Sequence, residues 1–363
     1  MPTAAVHRIP AAAPDDLSGV LALIGSGALA PGSIRAVLGK TEGNGCVNDF
    51  TRAFAVSAWR QALAPHLAPV DLDAIAMVMS GGTEGVLAPH WLVLAEAAET
   101  TGQRPALAIG RARTSDLPPQ ELGRVGQVAM VAEGVRSAMR DAGIEHPADV
   151  HFVQIKVPLL TAARIAAAEK AGHTVATRDT LKSMGLSRGA AALGVALALG
   201  EVAEARLSDG VIGTDTSLYS SVASTSAGVE LQDHEIVVLG MSERWSGSLA
   251  VEHAVMRDAI DVEPVRAALV RAGLPCTGQL AEALRPRLVA LLAKAEAGST
   301  GTLRGRRHTM LDDSDIASTR HARAAVGGAL AALVGHGEIY VSGGAEHQGP
   351  DGGGPVAVIV ARE

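Results

Sequence analysis

Three stretches of this chain share one hydrophobic pattern, a short run of apolar and β-branched residues that ends in a lysine. A continuous apolar run of this length is consistent with a buried β-strand. We therefore predict three strands that each carry a lysine at their end. The runs are Ile34 to Lys40, Val150 to Lys156 and Leu288 to Lys294.

Each of these strands is followed, further along the chain, by a second apolar strand that runs into the motif Ser-[Gly/Ala]-Gly-x-Glu. A single motif of this kind usually marks a strand that leaves into a loop, where glycine supplies conformational freedom. Three copies in the same order as three lysines indicate an internal repeat. The segments are Ile75 to Glu84, Ser221 to Glu230 and Glu338 to Glu346.

An arginine stands near the start of an Ala- and Gly-rich helical stretch between each lysine and its serine. The first two are Arg52 and Arg188. The third stretch offers two candidates. Aligning the Ser/Thr-Arg dipeptide of the three stretches selects Arg320, whereas aligning the Gly/Ala run that follows the arginine selects Arg323. We favour Arg323 and keep Arg320 as the alternative.

Apolar residues recur at helical spacing elsewhere in the chain, which predicts four further amphipathic helices. These are Gln120 to Ala142, Leu159 to Ala171, Val262 to Ala272 and Leu280 to Leu291. With the strands, they predict an α+β fold: three homologous sheet-and-helix domains around a pseudo-threefold axis with one central active site.

Linkers divide the chain into three units, residues 1–103, 104–246 and 247–363. The first linker runs from Thr101 to Pro105, and the second from Arg244 to Ser248. A Gly/Arg-rich loop at residues 297–307 lies inside the third unit.

Composition narrows the class of protein. With 48% hydrophobic residues and a net charge of −7, the chain has ample core and no basic stripe, so nucleic acid is not an expected partner. Its two cysteines, Cys46 and Cys276, form no C-x-x-C pair and no disulfide framework. The most apolar helical stretch, Ala190 to Gly200, is shorter than the ~20 residues that span a bilayer. We expect a soluble, cytoplasmic protein that does not bind membranes.

Lysine beside serine is a known pairing of base and nucleophile, and burial among other cations favours the neutral amine that can accept a proton. Amides that follow the serines can hold a developing oxyanion, and arginines can bind carbonyl oxygens. Three such sets suit a small, planar, anionic ring with several carbonyls. The pattern therefore predicts hydrolysis of a cyclic imide; a threefold module that only binds such an anion and an amidase of the Ser-Ser-Lys type are the less favoured alternatives.

The whole chain resembles the cyanuric acid hydrolase and barbiturase family. The segments that carry this resemblance are distributed over all three units. They are Gly43 to Arg52, Met79 to Gly85, Val153 to Pro158, Met184 to Arg188, Ser224 to Glu230 and Val341 to Gly349.

The resemblance implies that Ser226 is the nucleophile and Lys156 its base, a choice that the motif alone does not make. It implies ring opening of cyanuric acid to carboxybiuret, and then biuret and CO₂, with the opening of barbituric acid to ureidomalonate as the alternative. The other repeated residues would hold the substrate. They are Lys40, Arg52, Ser80, Gly81, Arg188, Ala227, Lys294, Arg323, Ser342 and Gly343.

The resemblance also implies a homotetramer, no organic cofactor, and a structural divalent cation near the C-terminus. Hard oxygen ligands on a loop suit Mg²⁺ or Ca²⁺. The implied ligands are the Glu296 carboxylate and the loop residues Ala345, Gln348, Gly349, Pro350 and Gly353, largely through their carbonyl oxygens.

Overall fold

The computed structural model describes residues 1–97 and 102–363 of the chain. Thr101, the first residue of the predicted first linker, lies outside these described residues. Of the helices within them, none is long and apolar enough to cross a membrane.

Three groups of strands and helices follow one another along the chain. The first contains β1 (Thr3–Pro10), α1 (Ser18–Gly25), β2 (Ile34–Thr41), α2 (Phe50–Leu63), α3 (Pro69–Asp73), β3 (Ala76–Gly81) and β4 (His90–Ala97). The second contains β5 (Ala106–Arg113), α4 (Val125–Ala142), β6 (Val150–Pro158), α5 (Ala162–Lys170), α6 (Thr180–Leu199), β7 (Ala223–Gly228) and β8 (Glu235–Ser242). The third contains β9 (Leu249–Met256), α7 (Glu263–Arg271), β10 (Leu288–Ala295), β11 (Thr302–Leu303), β12 (Arg306–Arg307), α8 (Ser318–Val334), β13 (Tyr340–Gly343) and β14 (Gly354–Ala361).

Each group forms a four-stranded sheet with the same strand order. The orders are β1-β4-β2-β3, β5-β8-β6-β7 and β9-β14-β10-β13. In every sheet the last two strands of this order pair in parallel, and the other neighbours are antiparallel. The α+β fold of three similar sheet-and-helix groups is therefore confirmed. Each sheet lies within one of the three predicted units, whose boundaries stay predictions.

Alternation along β2 explains how a lysine reaches the middle of the molecule. Ala36 and Leu38 pack in a central hydrophobic core to which all three sheets contribute, whereas Val37 packs in the outer core of its own unit. Because side chains alternate between the faces of a strand, Lys40 leaves on the same face as Leu38. Ala290, Leu292 and Lys294 of β10 repeat this arrangement.

Three of the four predicted amphipathic helices are present as α4, α5 and α7, each a few residues shorter than predicted. The helix predicted over residues 280–291 is wrong. Residues Glu282–Arg287 form a 3₁₀ turn that contains Pro286, and β10 begins at Leu288. A proline inside a helix removes a backbone hydrogen bond, and here the apolar residues that follow it belong to a strand.

Candidate active site

The repeated lysines and serines are direct neighbours across the parallel strand pairs. The register pairs are Lys40 with Ser80, Lys156 with Ser226, and Lys294 with Ser342. Parallel strands end at the same edge of a sheet, so each unit presents one amine and one hydroxyl at the same place. All six residues are buried, and the lysines are at most 1% exposed.

In two units, the lysine donates a hydrogen bond to the serine of its own unit. Lys40 Nζ lies 3.5 Å from Ser80 Oγ, and Lys294 Nζ lies 3.2 Å from Ser342 Oγ. Lys294 Nζ also donates to the carbonyl of Thr225 in the second unit, at 2.9 Å. The lysines thus connect the three sheets as well as facing the site.

The second unit differs from the other two. Lys156 Nζ donates to the Met79 carbonyl at 2.9 Å and lies 2.7 Å from Glu230 Oε1. Within the described residues, no hydrogen bond joins Lys156 Nζ to Ser226 Oγ. The Ser226 hydroxyl instead lies 3.1 Å from the hydroxyl of Ser342.

The three arginines are held by carboxylates of another unit, in a closed cycle. Arg188 binds Glu346 through two hydrogen bonds of 2.8 and 2.6 Å. Arg323 binds Glu84 in the same manner, at 2.8 and 2.5 Å. Arg52 completes the cycle with Glu230, at the longer distance of 3.8 Å. Forked pairs of this kind fix the plane of the guanidinium group.

The cycle distinguishes the two candidates for the third arginine. Arg323 lines the central cavity between the serines and occupies the place that Arg52 and Arg188 occupy in their units. Arg320 lines only the outer cavity.

Two connected spaces form the site. The central one has a volume of about 20 Å³, and the outer one about 530 Å³. Gly45, Met184, Arg188, Arg323 and Gly343 line both spaces, so the outer cavity leads directly to the serines.

Comparisons with known proteins match this geometry to one family. A family model described as the amidohydrolase ring-opening protein matches residues 5–361. The chain belongs to this family of ring-opening amidohydrolases.

Relatives of this ring-opening amidohydrolase cover its full length. The cyanuric acid amidohydrolase of Bradyrhizobium sp. is 61% identical over 371 residues, covering 100% of both chains. That of Azorhizobium caulinodans is 62% identical, covering 100% of this chain and 99% of the relative. The crystal structure of the cyanuric acid hydrolase from A. caulinodans has a TM-score of 0.93 to this chain, with 62% identity and the same coverage. The family places this chain among the enzymes.

Burial controls the charge of the lysines in this amidohydrolase. Burial, assisted by Arg323, holds the pKa of Lys40 well below its usual value. Burial and Arg188 do the same to the pKa of Lys294. The pKa of Lys156 is also lowered by burial, but Glu230 opposes that shift. A desolvated amine is more easily neutral and can then accept a proton.

The residues that follow the serines lie at the central cavity, and their predicted role in binding an oxyanion stays a prediction. Gly81, Ala227 and Gly343 all line the central cavity. The Ala227 carbonyl accepts a hydrogen bond from Arg52 Nη1 at 3.3 Å. The backbone after the second serine is therefore in contact with the repeated arginine of the first unit.

The predicted cation ligands lie beside a separate cavity of about 170 Å³. Glu296, Ala345, Gly349 and Pro350 line it, whereas Gln348 and Gly353 do not. The Gln348 side chain is used elsewhere, because its Oε1 accepts from the Thr225 amide at 2.7 Å.

The charge of Glu296 fits a cation at this place. Burial, followed by the nearby Glu346, raises the pKa of Glu296. In the described part of the chain, no lysine, arginine or histidine forms a salt bridge with it. The same part holds no cluster of three or more His, Cys, Asp or Glu placed to bind a metal, so ligation here would depend on carbonyl oxygens.

Sequence reasoning missed the role of three glutamates, Glu84, Glu230 and Glu346. They close the repeated motif and hold the arginines of the site. Their repetition at the same position in all three motifs was the available signal, since a strand-to-loop turn does not by itself require an acid there.

Proposed function

We propose that this enzyme opens the ring of cyanuric acid by hydrolysing one ring C–N bond, with Ser226 as nucleophile and Lys156 as base. The observation that carries the proposal is that three serines from three like sheets line one central cavity, each with a buried lysine as its register partner. Cyanuric acid repeats one carbonyl and one ring nitrogen three times, which matches three equivalent sets of donors. The names of the full-length relatives support this substrate.

In the first step, Lys156 accepts the hydroxyl proton of Ser226 while Oγ attacks a ring carbonyl carbon. Backbone amides beside the serine stabilise the oxyanion that forms. The C–N bond then breaks, and the Lys156 ammonium returns its proton to the departing ring nitrogen. The opened ring stays attached to Ser226 as a carbamate ester.

Water completes the reaction. Lys156 takes a proton from water as the water oxygen attacks the ester carbonyl, and the proton then restores the Ser226 hydroxyl. Carboxybiuret leaves, and its loss of CO₂ gives biuret. In this scheme Lys40 with Ser80 and Lys294 with Ser342 bind the remaining carbonyl and imide groups, together with Arg52, Arg188 and Arg323.

A structural Mg²⁺ or Ca²⁺ fits beside Glu296 and the carbonyls of Ala345, Gly349 and Pro350. Such an ion would neutralise the buried carboxylate and fix the loop that follows Ser342. Because Glu346 on this loop holds Arg188, the ion would stabilise the site without taking part in the reaction.

Barbituric acid is the alternative substrate, since it differs by a carbon in place of one ring nitrogen. Purified enzyme should be assayed side by side on both rings by loss of ring absorbance, with Ser226→Ala as the blank. Turnover of cyanuric acid alone supports the proposal. Turnover of barbituric acid alone replaces the substrate, and consumption of neither would favour a binding module. Light scattering of the same preparation tests the homotetramer that the family resemblance implies.

A further inference from the structure

The acidic residue of the repeated motif makes a different contact in the second unit. Glu84 and Glu346 each grip an arginine through both oxygens. Glu230 Oε1 lies 2.7 Å from Lys156 Nζ and only 3.8 Å from Arg52 Nε. One of three equivalent carboxylates has thus turned from its arginine towards its lysine.

The backbone after the serine accounts for this turn. The second glycine of the motif is left-handed in two units, with φ +106° at Gly82 and +77° at Gly344, and there the arginine lies against the glycine. Gly228 is outside the left-handed region, and a Cβ on it would lie 2.1 Å from Glu230 Oε2. The Glu230 carboxylate therefore folds back over its own turn, towards Lys156.

The result is visible at Arg52. Its Nε is buried without a hydrogen-bond partner among the described residues, whereas the Nε atoms of Arg188 and Arg323 each bond to a carboxylate. Glu230 Oε1 also forms no hydrogen bond among the described residues, but it lies closer to the Lys156 amine than to the Arg52 guanidinium.

Charged groups face Lys156 from three elements. Glu230 approaches from the turn after β7, Arg52 from α2, and Glu235 from β8, where it is the register partner of Lys156. At the equivalent position in the first unit, the register partner of Lys40 is His90, whose side chain has no carboxylate group. Within the described residues, Lys156 alone among the three repeated lysines has a carboxylate within salt-bridge distance.

We propose that Glu230 is a positioning residue that acts through Lys156, so that the working unit is Ser226–Lys156–Glu230 and the other two lysine–serine pairs only bind substrate. The inference rests on the proposed roles of Ser226 and Lys156. When Lys156 takes the serine proton, its new ammonium forms beside a carboxylate already in place. In a Ser-His-Asp triad, the aspartate stabilises the imidazolium of the histidine in the same way.

The test is the pH dependence of kcat in Glu230→Gln. The acidic limb of this profile reports the loss of the Lys156 proton. A carboxylate within about 4–6 Å raises the pKa of an amine by roughly 1–3 units, so its removal should move the limb about 1–3 units to lower pH. We expect kcat at the plateau to fall by about tenfold or more, because the ammonium is no longer stabilised. Glu230→Asp should return the limb towards that of the unmodified enzyme.

Glu84→Gln is the matched control, since it removes the equivalent carboxylate from Arg323 and faces no lysine at salt-bridge distance. It should raise KM and leave the acidic limb in place. Circular dichroism and thermal unfolding establish that each variant is folded.

If folded Glu230→Gln keeps both the acidic limb and the kcat of the unmodified enzyme, the inference is overturned. Turnover by the variant Lys156→Met distinguishes this outcome from a failure of the proposed function itself. If that variant keeps turnover, Lys156 is not the base, and the route from Ser226 through Ser342 to Lys294 takes its place. If Lys156→Met is inactive while Glu230→Gln is normal, only the role of Glu230 is lost.

Discussion

Three serine hydroxyls face the same cavity, and their surroundings make them unequal. Ser80 and Ser342 each accept a hydrogen bond from the lysine beside them, at 3.5 and 3.2 Å. Ser226 contacts the hydroxyl of Ser342 and has no such bond to Lys156 in the described residues. A hydroxyl left unbonded by its neighbouring amine keeps its oxygen available for attack on a ligand. Catalytic hydrogen bonds often shorten only when the substrate is bound.

This inequality predicts different effects for the three serines. Ser226→Ala should lose turnover by several orders of magnitude while still binding the ring, because the proposed nucleophile is removed and the arginines remain. Ser80→Ala and Ser342→Ala should raise KM and retain measurable kcat. Steady-state kinetics and calorimetric titration with the ring distinguish these results. Hydrolysis retained by Ser226→Ala would assign the nucleophile to another serine.

At the scale of residues, the sequence predicted which side chains form the site better than it predicted the contacts among them. Lys156 and Ser226 were found from the repeat and are register neighbours, as two strand ends in one unit require. The contact of Lys156 with Glu230 could not be predicted, because it depends on the backbone angle of Gly228 in one copy of a shared motif. A glycine at the same motif position in all three units does not determine the same torsion angle in each.

At the scale of elements, the turn after each serine strand decides where an arginine can lie. In the third unit, Gly344 has φ +77°, and a Cβ on it would lie 2.4 Å from Arg188 Nε. A side chain at this position would be strained and would also push the guanidinium aside. The glycine of the motif is thus needed for its missing side chain as well as for its torsion angle.

Gly344→Ala should therefore raise KM and lower the melting temperature, since Arg188 must move and the left-handed backbone is strained. Gly328→Ala is a suitable control, because it lies inside α8 and a Cβ there meets no atom within 4 Å. Alanine is favoured over glycine in a helix by up to about 1 kcal/mol, so this control should unfold at the same or a higher temperature. Equal kinetics of Gly344→Ala and the unmodified enzyme would contradict the role given to Gly344.

Strand and helix prediction succeeded where the apolar pattern was continuous and failed where it crossed an element boundary. The runs ending in Lys40 and Lys156 became β2 and β6. Residues 280–291 were predicted as a helix because apolar residues recur there at helical spacing. Pro286 lies inside a 3₁₀ turn that ends at Arg287, and the residues that follow pair in the sheet, so tertiary pairing overrode local periodicity.

At the scale of the whole molecule, burial of uncharged imidazoles makes the fold sensitive to acid. Burial lowers the pKa of each of four histidines to about 4. They are His90, His151, His234 and His336. Between the usual histidine pKa of 6.5 and about 4, the unfolded chain binds protons that the folded chain does not, so falling pH favours unfolding.

The melting temperature should accordingly fall steadily as the pH is lowered from 6.5 to about 4. Glu235 acts in the opposite direction, because burial raises its pKa to about 7 and the folded state then holds the extra proton. Glu296, whose pKa burial also raises, acts in the same direction as Glu235, so two carboxyl groups oppose four imidazoles and the net slope keeps its sign. Differential scanning calorimetry from pH 8 to 4 measures it, and a melting temperature that stays level down to pH 4.5 would contradict the assignment.

The cycle of arginines and glutamates also bears on how this enzyme gains activity during folding. Its links join residues far apart in the chain, with separations of 158 for Arg188 to Glu346 and 239 for Arg323 to Glu84. Strand pairs, by contrast, join residues of the same unit and can form early. Contacts between residues that are distant in sequence carry a larger entropic cost. Catalysis should thus be the last property to return on refolding, after the fluorescence of Trp59 and Trp91 in the first outer core has reached its native value. A newly made chain would stay inactive until its third sheet has docked.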